Sequence, residues 1–186
     1  MRQIPKDVIE KAATGDMDAF EKIYKEYSST VYTLAFGVTQ NRQDAEETTQ
    51  DTFVKIFRGL KNFKFESSFG TWLYRITMNT AINIYRKRAR QQEGSTAYNE
   101  VEYERPAGSD ISRDQIERQD AASRVAEILK NINPEHRSCI VLREIEGLNY
   151  REMADVLRIP LNTVRSRLKR AREAIVAYCR KEGDKS

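Results

Sequence analysis

The chain has 186 residues, 32% charged and 39% hydrophobic, with a formal net charge of +4 and a pI near 9.0. Few glycines and prolines and a mean hydropathy of −0.71 give the balance of small helical domains and argue against a large buried sheet. No window approaches the roughly 18 apolar residues of a membrane span, and the opening MRQIPKDVIEK lacks the apolar core of a secretory signal, so a cytoplasmic protein is expected.

From Asp16 the apolar residues Phe20, Ile23, Tyr24, Tyr27, Val31, Leu34, Ala35 and Val38 follow a three-and-four spacing, which predicts one helix with a single buried stripe. Gly15 marks the break before it and Asp16 the cap. A second helix is predicted from Gln43 to Asn62, with Ala45, Thr49, Phe53, Ile56, Phe57 and Leu60 on its buried side and an acidic, polar start. Ser67 or Ser68 caps a third, in which Phe69, Trp72, Leu73, Ile76, Ala81 and Ile84 supply packing. Three such stripes bury one another as a helical bundle.

The pattern stops from Gly94 to Asp120, where seven acidic residues face three basic ones and apolar surface is scarce. Such a segment cannot offset the entropy of ordering, and a flexible acidic linker is expected. Periodicity resumes at Val125, Ile128, Leu129 and Ile132; Asn133-Pro134 then starts a helix to about Glu146, with Gly147 as its stop. Asn149 and Glu152 form a near capping box for a short helix ending at Leu157, and Asn162 is the expected cap of a last helix running to about Cys179. The fold class is therefore all-α: two small helical domains, 1–93 and 120–186, joined by a linker over 94–119.

Two helices on a tight turn, with small Ala154 at the crossing and Leu157, Val164 and Leu168 fixing the angle, read as a helix-turn-helix. Its second helix holds Arg165, Arg167, Lys169, Arg170 and Arg172, with Asn162, Thr163 and Ser166 toward the end that enters a major groove. Guanidinium and ammonium groups bond phosphate oxygens or guanine edges, while hydroxyls and amides hold the backbone or read bases. Arg165, Ser166, Lys169 and Arg170 are the residues expected against DNA.

The stretch GTWLYRITMNTAINIYRKRAR has no turn-and-recognition pair around it, yet Phe63, Trp72, Tyr74, Arg75, Asn79, Asn83, Arg86, Lys87 and Arg88 combine cations, aromatic faces and amides as single-stranded nucleic acid requires. Trp72 at helical spacing from Phe69 and Ile76 is more often a core residue than a base platform, and Arg86 to Arg90 fits a solvated helix end favoured by the dipole equally well. Cys139 and Cys179 lie without CxxC spacing and His136 adds only one further ligand type, so neither a disulfide nor a metal site is expected, and buried small hydrophobes are the favoured role for both thiols.

Three segments in order, DAEETTQDTFVKIFRGLKNF, FGTWLYRITMNTAINIYRKR and LNYREMADVLRIPLNTVRSRLKRARE, resemble the bacterial sigma-70 family, in particular its extracytoplasmic-function group. The resemblance implies a factor with only domains two and four. Residues Asp44, Glu47, Gln50, Asp51 and Phe53 would dock on the beta-prime clamp helices of core RNA polymerase, and domain four would meet the beta flap. Phe63, Lys64, Trp72, Arg75, Asn79, Asn83, Arg86 and Arg88 would open and read the minus-ten element, Asn79 capturing a flipped base and the loop from Phe63 to Ser68 forming the pocket wall. Asn162, Thr163, Arg165, Ser166, Lys169 and Arg170 would read the minus-thirty-five duplex. The larger sigma factors carry further aromatic residues for melting, so strand opening here is expected to depend more strictly on sequence.

By the same resemblance the linker threads the polymerase cleft, an anti-sigma factor is the regulating partner, and no cofactor, metal, small-molecule substrate or catalytic activity is implied. Two other classes remain open to the residues alone. An autonomous helix-turn-helix regulator would bind a palindromic duplex without polymerase, and a nuclease would need a clustered acidic pair, for which the lone histidine His136 is no substitute.

Overall fold

The computed structural model describes residues 4–93 and 123–183, and every regular element among them is helical. The linker expected over 94–119 lies outside the described residues.

The first helix, α1 (Lys6–Ala13), has no clear signature in the sequence pattern. It has only Ile9 and Ala12 to bury, while Lys6–Glu10 and Asp7–Lys11 pair on its outer face, which leaves too short a stripe to stand out as a period. Gly15, at φ +98°, makes the turn into α2 (Met17–Thr39), and Asp16 caps it by accepting from the Ala19 N–H at 3.0 Å. Ile23, Tyr27, Val31, Leu34 and Val38 are all buried, as the spacing requires.

Gln40 then turns left-handed, and Asn41 caps α3 (Arg42–Gly59) by accepting from Asp44 N–H. The predicted last turn of α3 tightens into a 3₁₀ turn, Leu60–Asn62, where Phe63 N–H bonds Leu60 C=O at 3.0 Å. Phe57 is not buried: it is 45% exposed on the outer face, edge-on to Phe20. Ser68 proves to be the cap of α4 (Phe69–Glu93), its Oγ accepting from Thr71 N–H. Thr48 and Thr52 of α3 and Thr77 and Thr80 of α4 are buried, and Lys55 Nζ of α3 donates to Thr80 Oγ1 at 2.9 Å across the two helices.

The second domain contains a helix over 123–130 (α5), α6 (Pro134–Ile140) running into a wide π turn (Val141–Ile145), α7 (Tyr150–Leu157) and α8 (Leu161–Gly183). Asn133 caps α6 with Pro134 in its first turn, and both bonds of the Asn149–Glu152 capping box are present. One start moves: α8 begins at Leu161, with Pro160 C=O accepting from Thr163 and Val164, so Asn162 lies inside the first turn and does not cap it. Its Oδ1 instead accepts from Arg165 Nη1.

The two domains pack on each other. Arg137 of α6 has 0% exposure; its guanidinium donates to Val38 C=O at the end of α2 and to Lys130 and Ile132 C=O, with the Tyr85 ring 5.1 Å away. Burial lowers the pKa of this guanidinium, opposed by Tyr85. Val38 C=O is among the last carbonyls of α2, which find no acceptor role inside their own helix, so Arg137 satisfies a group that would otherwise need water. Tyr74 Oη donates to Glu146 at 2.6 Å, a second bond between the domains.

Candidate nucleic-acid interface

The loop after α3 is built on aromatic contacts. The Phe63 ring lies 4.8 Å from Phe65, 5.0 Å from Trp72 and 5.8 Å from Phe69. Trp72 rests on Gly59, where a Cβ would come within 3.3 Å of the indole, so a larger residue at 59 would push the ring out. Its place is thus between the two alternatives, half-buried against the bundle and lining a cavity of about 320 Å³. Phe63, Lys64, Ser67, Arg75 and Arg158 line the same cavity. Phe65 adopts φ +57°, costly for an aromatic residue, and Lys6 of α1 sits 4.9 Å over its ring.

Along α4, Asn79 and Asn83 are exposed four residues apart, hence on one face, as expected for a reading surface. Lys64, in the loop before α4, is exposed as well. Arg75 is committed elsewhere: Nε and Nη2 both donate to Asp155 C=O of α7, at 3.2 and 2.9 Å. Burial first, and then the Arg158 cation, lower its pKa against the pull of Asp155. Arg86 pairs with Glu135 of α6.

Two assignments change. Arg88 does not face outward but donates to Asp44 at 2.7 Å, and Asp44 is buried, so residues assigned to the DNA surface and to the polymerase surface are partners in one ion pair. Asp44 stands in the first turn of α3, where its charge also suits the helix dipole. Phe53 is 5% exposed and belongs to the core, its ring 4.7 Å from Tyr24, so it braces the surface and does not form it. Glu47, Gln50 and Asp51 are exposed as predicted. Val54 and Phe57, one and two turns further along that face, are exposed apolar residues that the predicted buried stripe and polar start do not mark as surface. Val54 follows Gln50 and Asp51 at four and three residues and Phe57 follows Val54 at three, and that spacing was the available signal.

On α8, Arg165, Ser166, Lys169 and Arg170 are exposed and share one face, with Asn162 exposed and Thr163 half-buried at its start. Ser166 Oγ donates to Thr163 C=O, and Lys169 lies 3.8 Å from Glu173. Arg167 turns away to Glu135. Behind this face, burial and the Arg170 and Arg167 cations lower the pKa of His136, with Glu135 opposing. Cys139 is buried and its thiol is pushed up to about 11, whereas Cys179 is exposed, contrary to the expectation of two buried thiols.

Among the described residues no helix is long and apolar enough to cross a membrane. The row on α8 carries groups able to meet phosphates and base edges of a duplex, and the aromatic cavity presents ring faces of the kind on which an unstacked base rests.

Residues 23–91 match the sigma-70 region 2 profile and residues 123–175 the sigma-70 region 4 profile. The RNA polymerase sigma-H factor of Pseudomonas aeruginosa is 34% identical over 181 residues, 90% of either chain. The ECF RNA polymerase sigma factor SigE of Mycolicibacterium smegmatis is 34% identical over 178 residues, covering 94% of this chain and 68% of that one. Among solved structures, CnrH in complex with the cytosolic domain of CnrY superposes with a TM-score of 0.67 at 26% identity, over 94% of this chain and 96% of that one. With two region profiles in order on two packed helical domains, and relatives matched over nearly the whole length, the chain belongs to the extracytoplasmic-function group of the sigma-70 family.

Proposed function

We propose that this sigma factor directs core RNA polymerase to its promoters by dividing recognition between its domains: 1–93 opens and reads the minus-ten element, 120–186 reads the minus-thirty-five duplex, and 94–119 connects them. The observation that carries this reading is the pairing, in one chain, of an exposed basic row on α8 with exposed Asn79 and Asn83 on the helix face of α4 that also bears Trp72 and Arg75, which line an aromatic cavity. Duplex and opened strand need different chemistry. Arg165, Ser166, Lys169 and Arg170 supply groove and phosphate contacts; Asn79, with Phe63 and Trp72, offers amide bonds and ring faces that offset the few kcal/mol lost when a base leaves the stack.

Glu47, Gln50 and Asp51, with Val54 and Phe57 beside them, form the face offered to the beta-prime clamp helices, and domain four meets the beta flap. An anti-sigma factor is the expected regulator, as the solved complexes of CnrH with CnrY and of the sigma factor RpoE with the anti-sigma factor NepR suggest by analogy. The family acts in transcription regulation, and this chain contributes binding and no catalytic step of its own.

The test is in vitro transcription with core RNA polymerase and a random-sequence promoter library. Wild type should bind core and yield selected transcripts, while Asn79→Ala should keep core binding and lose strand opening, read by permanganate reactivity of unpaired thymines. Absence of both core binding and transcripts with wild type defeats the proposal.

A further inference from the structure

Within the loop that follows α3, one ring leaves the aromatic cavity. Asn62, Phe63, Lys64, Glu66 and Ser67 line that cavity, whereas Phe65, at φ +57°, turns its side chain toward α1. The left-handed conformation crowds the Cβ of any residue other than glycine against the backbone, and it persists only where the surroundings hold it. Phe65 is 41% exposed, so burial alone does not hold it. Two contacts do: its ring lies 4.8 Å from that of Phe63, and Lys6 Nζ lies 4.9 Å over its ring.

The magnitudes are matched. The left-handed backbone is disfavoured about five- to thirtyfold. An aromatic pair returns about two- to tenfold and a cation over an exposed ring about two- to fivefold, so both contacts together are needed to offset the bias. Lys6 also stands on a fixed base. It is the first residue of α1, whose Ile9 and Ala12 are buried and whose Val8 packs against the core, and Glu10 one turn on holds the same ammonium at 3.3 Å.

We propose that α1 is a brace for the base-reading loop and that Lys6 is a positioning residue for recognition of the opened strand: by holding the Phe65 ring it fixes Phe63 against Trp72, 5.0 Å away, and so sets the shape of the cavity that receives an unstacked base. This rests on the promoter-reading function proposed above. Lys6 is not among the residues lining the cavity, so it acts through Phe65 and Phe63 and not by touching the base.

The experiment uses the full chain with core RNA polymerase and a promoter library randomised across the minus-ten element, with transcripts counted by sequencing. The Lys6 side chain is 68% exposed, so Lys6→Met keeps the stem and the fold while removing the cation. It should leave core binding and minus-thirty-five preference unchanged, and should lower the ratio of the preferred base to its competitors within the minus-ten element by about two- to fivefold. Lys6→Arg, which keeps a cation over the ring, should restore the wild-type ratio. Phe65→Leu should resemble Lys6→Met, and combining the two should change nothing further. A uniform loss at every sequence, with a salt slope reduced by about one, would make Lys6 a phosphate contact and overturn the proposal. An unchanged ratio, or an arginine variant no better than methionine, overturns it as well.

Fluorescence of Trp72, the only tryptophan, reads the loop in the free chain without DNA. Lys6→Met should increase acrylamide quenching and Lys6→Arg should not. If quenching behaves in this way but wild type yields no transcripts, the promoter-reading function fails and the brace stands. If Lys6→Met is quenched no more than wild type, the brace fails whatever the transcripts show.

Discussion

Arg88 donates to Asp44 at 2.7 Å and thereby ties the last third of α4 to the first turn of α3. The side chains are 27% and 8% exposed, so solvent screens the pair only partly, and the second Asp44 oxygen has no hydrogen-bond partner among the described residues. Removing one member leaves the other charge poorly solvated, which is costlier than losing the attraction itself.

Asp44→Ala should therefore destabilise the protein by about 1–3 kcal/mol, below the full cost of breaking a wholly buried pair. Arg42→Ala, which breaks the Arg42–Glu46 pair at 74% and 50% exposure, should change stability by less than about 0.5 kcal/mol. Urea midpoints of both variants check the contrast, and equal midpoints would return Asp44 to the solvated surface.

The acid side of the stability curve should be governed near neutrality by His136, the only histidine. Its pKa in the fold is lowered, chiefly by burial, so the unfolded chain binds the proton more readily. Stability is then lost as pH falls below the unfolded value of about 6.5, and the loss levels off once the folded imidazole also protonates. The slope cannot exceed one proton, about 1.4 kcal/mol per pH unit. His136→Gln should flatten the urea-midpoint curve between about pH 7 and 5.5 relative to wild type.

The two thiols should differ sharply toward Ellman's reagent at pH 8. Cys179 is exposed and should react at once, whereas Cys139 is buried with its thiol pushed up to about 11 and should react only after unfolding. Cys179→Ser should abolish the fast phase and leave the slow one.

On α8, Lys169→Ala and Arg170→Ala should weaken binding to the selected upstream duplex, and a residue that only holds phosphate should reduce the salt slope by about one without altering sequence preference. Arg167→Ala makes the opposite case. That side chain pairs with Glu135 and is 20% exposed, so its loss should appear in thermal stability with duplex preference unchanged.

Secondary structure was legible wherever one stripe recurs over several turns: α2, α3, α4 and α8 stand within a few residues of their predicted bounds. Caps at Asp16, Ser68, Asn133 and Asn149 were legible because a short polar side chain before an apolar period has one obvious use. Asn162 looked the same but was preempted by Pro160, whose carbonyl already serves the first turn of α8. The exposure of Asn79 and Asn83 on α4 and of the row on α8 also followed from type and spacing. Arg88, Asp44 and Phe53 did not, because a basic helix end, an acidic first turn and an aromatic face look alike in sequence whether they meet a partner or each other. Arg137 gave no signal at all. Its burial depends on Val38, almost a hundred residues earlier, and on the meeting of two domains that no local period encodes.

Trp72, packed between Phe63 and Gly59, is the only tryptophan in the chain. Its indole lines the same cavity as Arg75 and Arg158, one from each domain. The protein thus carries a single optical reporter at the junction where the aromatic loop meets Arg75 of α4 and Arg158 of the turn after α7. Excited selectively, it should change emission whenever Arg158 moves or a ring stacks beside the indole, so any change at this cavity can be followed in time without a label.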